Sequence, residues 1–375
     1  MEITDLEAIP LDPDMGDVSM QLGDNEQQVS VRPVVVKVHT DTGITGLGET
    51  LTYVGQETDV VVAGVELLER HLVGEDPRAI NQRWMELYTD AKRSQTYKPL
   101  SAIDQALWDV AGKDARKPLY ELLGGRTGPL SAYATFPYRQ SIDDLIESGQ
   151  WLAEKGFHSM KITVGTDVET DKRRIREVAA ALPDDFGLSV DANTSFDFSQ
   201  ALEVAETGGE HDLVWFEEPI PHTDIDGQAE LNRRTSVPIA AYQSHTPHYP
   251  AVDHLEANAL EVYQPALYLC GGVTGATRVA SLTEAYGKRF VPHAYGPIIN
   301  YAASVHVSVA TPASDLIEFA IYDDTLDDPG RYVSGPYVEN QDVVYVDDDG
   351  TIEPPEEPGL GVRLDDDAVE EFRID

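Results

Sequence analysis

The chain has 375 residues, 67 of them Asp or Glu against 27 Lys or Arg, and a formal net charge of −40. A surplus of anions on this scale argues against a nucleic-acid surface, and the single cysteine, Cys270, excludes an intramolecular disulfide and a multi-cysteine zinc site. No stretch reaches the roughly 20 apolar residues of a membrane span, so a soluble, cytoplasmic protein without a membrane partner is expected. The acids are dispersed, with only short runs at Asp347 to Asp349 and Asp365 to Asp367. Such a surface suits a salt-rich cytosol, because the screening length shrinks to about 3 Å at 1 M salt.

From the N-terminus, TDLEAIPL, VRPVVVKVHTD and GITGLGE, the last two joined by a turn at Asp41 to Gly43, read as an antiparallel meander. Between Thr58 and Gly124 the period becomes helical. Ala102, Ile103, Ala106, Leu107 and Val110 form one apolar face, with Ser101 as candidate N-cap and Asp104 three residues later. After Leu130 eight β-rich runs follow: SAYATF, SMKITV, GLSVDA, LVWFEE, VPIAAYQ, LEVYQP, RFVPH and DLIEF. Helical stretches such as DDLIESGQWLAEKG and DKRRIREVAAALP separate most of them, and no clear helix follows the last. The expected fold is therefore α/β, a (β/α)8-type barrel over residues 126–325 preceded by an α+β domain over 1–125. Residues 326–375 are expected to pack back on the first domain.

Polar side chains stand at the C-terminal ends of these runs: Lys161, Asp191, Glu217, Gln243, His293 and Glu318. Asp191 to Glu217 and Glu217 to Gln243 are each 26 residues apart, so successive units are expected to deliver one side chain each to a common rim. Glu218, next along an extended strand, should point to the opposite side.

Four segments carry a resemblance. SAIDQALWDVAGKDARKPLYELLGG, WFEEP, CGGVTG and PGLGV occur in this order along the chain, which resembles the enolase superfamily on its mandelate racemase side. The resemblance implies a modified, β7α barrel whose mouth is capped by the first domain. It also implies a Mg²⁺ held by residues ending three consecutive strands, here Asp191, Glu217 and Gln243. Gln243 departs from the acid usual at that place, and His245 is an alternative donor. Lys161 takes the first place of a Lys-x-Lys pair whose second place is Thr163. His293 matches the histidine base, without the helper acid, since Ala266 stands there. Glu318 matches the acid that hydrogen-bonds the developing enolate, while Asn193, Thr163 and Tyr53 are candidate substrate contacts.

The implied activity is abstraction of the proton α to a carboxylate, with dehydration of a sugar acid to a 2-keto-3-deoxy acid as the leading outcome. Racemisation or epimerisation of a 2-hydroxy acid is the alternative, disfavoured because Thr163 removes a second base. Three departures, at Thr163, Gln243 and Ala266, also admit a catalytically degenerate binding or assembly protein. The expected partner is a small carboxylate, and the assembly a homo-oligomer. From the charge alone, the melting temperature is expected to rise between low and molar KCl as mutual repulsion is screened; a midpoint indifferent to salt would contradict that reading.

Overall fold

Strand-forming residues of the first 52 positions build β1 (Ile3–Pro10), β2 (Asp17–Leu22), β3 (Asn25–Ser30), β4 (Arg32–Thr40) and β5 (Thr45–Thr52). In the computed structural model all residues are described except 14–16, 23–24, 54, 126, 137–139, 322–326, 333 and 375, and the side chains of 17–22, 25–30, 55 and 56. β1, β4 and β5 form the antiparallel meander, while β2 and β3 pair separately as a hairpin that the sequence pattern did not reveal. Helices α1 (Gly55–Glu69), α2 (Ile80–Ser94), α3 (Tyr97–Ala115) and the short α4 (Leu119–Leu122) follow. α3 lies so close on β5 that a Cβ at Gly46 or Gly48 would overlap the carbonyl oxygens of Ala106 and Ala102. Glycine is the residue that permits this approach.

Ser101 is not the N-cap of α3, whose N-cap is Thr96, five residues earlier in the chain. Ser101 and Asp104 lie inside the helix, buried, and their oxygens are committed elsewhere. Ser101 Oγ accepts from the Gly271 N–H at 2.9 Å, and Asp104 accepts from the N–H and hydroxyl of Thr274 at 2.8 and 2.7 Å. Trp84 donates to the Gly271 carbonyl and Trp108 to the Thr274 hydroxyl. One helix turn further on, Asp109 accepts from the N–H groups of Leu47 and Leu360. The polar residues of SAIDQALWD thus fasten the first domain to CGGVTG and to PGLGV, satisfying backbone groups that burial would otherwise orphan.

The eight apolar runs become eight barrel strands: β6 (Leu130–Thr135), β7 (Ser159–Thr163), β8 (Gly187–Asp191), β9 (Phe216–Glu217), β10 (Ile239–Ala241), β11 (Val262–Tyr263), β12 (Arg289–Phe290) and β13 (Leu316–Ala320). Their parallel order is β12, β11, β10, β9, β8, β7, β6, β13. Helices α5 (Ile142–Glu154), α6 (Val168–Ala181), α7 (Phe198–Glu210), α8 (Ile225–Arg234), α9 (Pro250–Glu256), α10 (Gly272–Ala285) and α11 (Ile298–Val309) connect them. Ser141, Asp167, Asp197 and Asp224 start α5 to α8, each side chain accepting a backbone N–H three residues on. Among the described residues the next α-helix after β13 is α12 (Asp366–Phe372), so the β7α pattern is the observed one. The strand β14 (Thr351–Ile352) pairs with β6, and Ile374 donates to Pro10. No helix of the described residues is long and apolar enough to cross a membrane.

Glu49 joins three parts of the chain. Fully buried on β5, it accepts from the N–H groups of Ile299 and Asn300 at the start of α11, at 2.8 and 3.1 Å, and from Tyr337 at 2.6 Å. Burial pushes its carboxyl up from 4.5 to about 8, more than the three donors pull it down. Since the folded value exceeds the unfolded one, this group's contribution to stability is complete below pH 4.5 and is lost as pH rises through 8. Glu49→Gln should therefore flatten the fall in melting temperature between pH 5 and pH 9. Parallel pH profiles for variant and parent would show that Glu49 is ionised in the fold throughout.

Candidate active site

Strand register decides which rim residues meet. Thr163 pairs with Asp191, and Asp191 with Glu217, so the last residues of β7, β8 and β9 stand side by side. Glu217, however, pairs with Ala240, not with Gln243. The equal spacing of 26 residues does not carry equal register. Gln243 lies three residues further on, roughly 10 Å along an extended chain, beyond the bulky Tyr242 at φ 112°.

The loops after β8, β9 and β10 each hold a non-glycine residue in the left-handed region: Asn193 (φ 44°) and Thr194 (φ 60°), Glu218 (φ 39°), and Tyr242. Glu218 also precedes Pro219, a position that favours extended backbone. Such conformations cost of order 1–3 kcal/mol each and concentrate at functional sites. At Glu218 the left-handed turn breaks strand alternation, so the expectation that it faces away from the rim is overturned. Its carboxylate accepts from Gln243 Nε2 at 2.8 Å and is pushed up to about 7 by burial and by Glu217.

At the centre Lys161 is buried, with Nζ 3.0 and 2.9 Å from the two oxygens of Glu217, 3.1 Å from Glu318 Oε1 and 3.7 Å from Asp191 Oδ2. Burial pulls its ammonium down, but the carboxylates outweigh that and hold it well above its ordinary value. Asp191 is raised well above the usual range, by burial first and Glu217 second, although Asn193 N–H donates to it at 2.8 Å. Gln264 Nε2 donates to Glu217 at 2.9 Å, and the Trp215 indole N–H does so at 3.3 Å.

His293 Nδ1 lies 2.9 Å from Glu318 Oε2, off the N–H axis of an aligned hydrogen bond. The buried Ala266 reaches no such partner, so the acid facing the imidazole comes from the eighth strand. Burial would raise Glu318, but Lys161 and His293 hold it down at about 2. Held in this way between Lys161 and His293, Glu318 is an acceptor for both cations, whereas donating to an enolate would need its protonated form. Tyr268 stands beside His293, ring centroids 6.4 Å apart, and Tyr53 of the first domain places its hydroxyl 3.5 Å from that of Tyr268.

Of the residues expected on the rim, Lys161, Asp191, Glu217, His293 and Glu318 thus form one connected cluster. Gln243 joins it through Glu218, and Tyr53 through Tyr268. Thr163 is half-buried beside Asp191, and the Asn193 side chain is exposed. His245 packs instead against His222, Tyr242 and His254, and burial lowers its imidazole to about 3. The sequence reading passed over Gln264, although a polar residue closing the apolar run LEVYQP is the same signal that marked its neighbours.

Among the described residues no group of three or more His, Cys, Asp or Glu side chains forms a ready metal cage. The chemistry of the set still fits a hard cation. Three carboxylates, of Asp191, Glu217 and Glu318, share the ammonium of Lys161, that of Glu218 stands next to Glu217 in the chain, and the buried oxygens Glu218 Oε1, Gln243 Oε1 and Gln264 Oε1 meet no hydrogen-bond donor. Oxygen donors with an unbalanced negative charge are what Mg²⁺ binds.

Residues 17–124 match the mandelate racemase / muconate lactonizing enzyme N-terminal domain, and residues 144–368 the enolase C-terminal domain-like family. The chain is 31% identical over 358 residues to the D-galactarolactone cycloisomerase of Agrobacterium fabrum, covering 91% of both chains. It is 28% identical over 348 residues to the arabinonate dehydratase of Saccharolobus solfataricus, covering 91% of this chain and 90% of that one. A solved racemase from Streptomyces coelicolor A3(2) with bound magnesium superposes with a TM-score of 0.84 at 25% identity, over 99% of this chain and all of that one. With the barrel, its cap and the rim residues in place, these matches show that the chain belongs to the mandelate racemase / muconate lactonizing enzyme family of the enolase superfamily.

Proposed function

We propose that this protein removes the proton α to the carboxylate of a sugar acid and eliminates the β-hydroxyl, giving a 2-keto-3-deoxy acid. The observation that carries the reading is the array His293, Glu318, Lys161 beside the carboxylates of Asp191 and Glu217. Arabinonate dehydratase, a relative along nine-tenths of both chains, supports the substrate class. In this reading residues 1–125 cover the mouth, 126–325 carry the site, and 326–375 return to the cap.

Asp191 and Glu217, with Glu218 and Gln243 beside them, would hold Mg²⁺, which when bound withdraws charge from the substrate carboxylate as a Lewis acid. Glu318 faces Nδ1 of His293 and leaves Nε2 as the nitrogen that takes the proton from C2. The same Nε2–H then protonates the hydroxyl leaving C3, so the imidazole returns neutral, one water departs, and the enol tautomerises to the ketone. Lys161 stays charged among its carboxylates, orienting the substrate's carboxylate rather than serving as a base. Tyr53 and Tyr268 roof the imidazole against water. A racemase would need a second base opposite His293; Lys161 is held protonated, and Thr163 has no basic group.

A panel of aldonic and aldaric acids, incubated with Mg²⁺ in molar KCl, should yield 2-keto acid from at least one member. His293→Asn is expected to lower turnover by about 10²–10⁴-fold. Unimpaired turnover in that variant would remove His293 as base. Deuterium incorporation at C2 without 2-keto acid would transfer the assignment to a racemase, and silence in both assays would favour the non-catalytic alternative.

A further inference from the structure

We infer that Glu218, the second acid of WFEEP, supplies the third negative charge to the cation, and that Gln243 is the residue that aims it. This rests on the Mg²⁺-dependent reading above. The third rim position carries a neutral amide, and register places it three residues past the partner of Glu217. Read from sequence alone, the site is short of one charge. The structure shows where the charge went.

Glu218 is only 3% exposed, yet its Oε1 meets no donor. Oε2 is held by Gln243 Nε2 at 2.8 Å, and the backbone is held by its own N–H to Ala240 O and by Thr194 N–H to its carbonyl, both 2.8 Å. A carboxylate buried in this way is costly unless a cation faces it. Gln264, 1% exposed and bonded to Glu217, likewise leaves its Oε1 without a donor. The left-handed φ of 39° before Pro219 is what turns Glu218 inward, and it persists because both backbone groups are pinned. The residue at 243 then has to be an amide. A carboxylate 2.8 Å from Glu218 would repel it, whereas an N–H orients it. Acid at 218 and amide at 243 are thus one arrangement, in which the charge has moved from the fifth strand's loop to the fourth's.

The test is Mn²⁺ binding to the full chain, stripped with a chelator and followed by calorimetry and by the Mn²⁺ electron paramagnetic resonance signal, with no turnover required. Glu218→Gln, nearly isosteric, should weaken binding by about tenfold or more, as should Asp191→Asn. The exchange Glu218→Gln with Gln243→Glu should recover most of the loss. Parent-like affinity in Glu218→Gln, with affinity lost in Asp191→Asn, would overturn the role of Glu218 and leave the rim as the metal site. Parent-like affinity in both would remove the metal site and this inference together. Should Glu218→Gln fold poorly, Glu218→Asp keeps the charge and retracts it by one methylene; weaker binding is expected, and unchanged binding would overturn the inference.

Discussion

One ammonium stands among four buried carboxylates at the barrel mouth, and much else in the site follows from that imbalance. Lys161 contacts Glu217 and Glu318 and approaches Asp191, so it holds the anions of three different strands in one place. It cannot neutralise all of them. Glu318 takes enough of the positive field, with His293, to remain ionised, while Asp191 and Glu218 are driven upward by burial and by each other's neighbour Glu217. A site with this balance is incomplete as a structural ion-pair network, and in the function proposed here a cation and an anionic substrate complete it.

The same imbalance explains the local backbone. Three successive strand ends are followed by left-handed non-glycine residues, which a protein keeps only where the surroundings fix them. Asn193 turns its N–H back onto Asp191, Glu218 turns its side chain into the mouth, and Tyr242 carries the chain up to Gln243. The barrel below supplies rigid, registered strands, and the strained residues redirect individual groups from them. The cap is held over this mouth by α3, whose Ser101, Asp104, Gln105 and Asp109 all bond to other parts of the chain. The site is therefore built on fixed elements, as positioning to within fractions of an ångström requires.

Much of this was legible beforehand, for physical reasons. Eight strands were visible because parallel strands buried on both faces are continuous apolar runs, and the polar residues closing those runs stood out against them. Asp191 and Glu217 were singled out by that contrast. Gln243 was singled out too, but its register was not legible, since counting residues assumes an unbroken strand and Tyr242 breaks it. Glu218 was misread because alternation was applied one residue past the end of β9. Ser101 looked like a cap because its tertiary partner, the Gly271 N–H, is 170 residues away. In the same way, no local pattern announces that Glu318 serves the histidine whose helper is missing at Ala266.

What separates a cation receptor from an inert cluster of buried charge is the ion itself, so crystals of the full chain grown with Mn²⁺ in place of Mg²⁺ give the most direct measurement. An anomalous difference map should show one strong peak at the barrel mouth, with carboxylate oxygens of Asp191, Glu217 and Glu218 at about 2.1 Å. A mouth without a peak, with Lys161 still bonded to both oxygens of Glu217 and Mn²⁺ found only on scattered surface acids, would contradict the account.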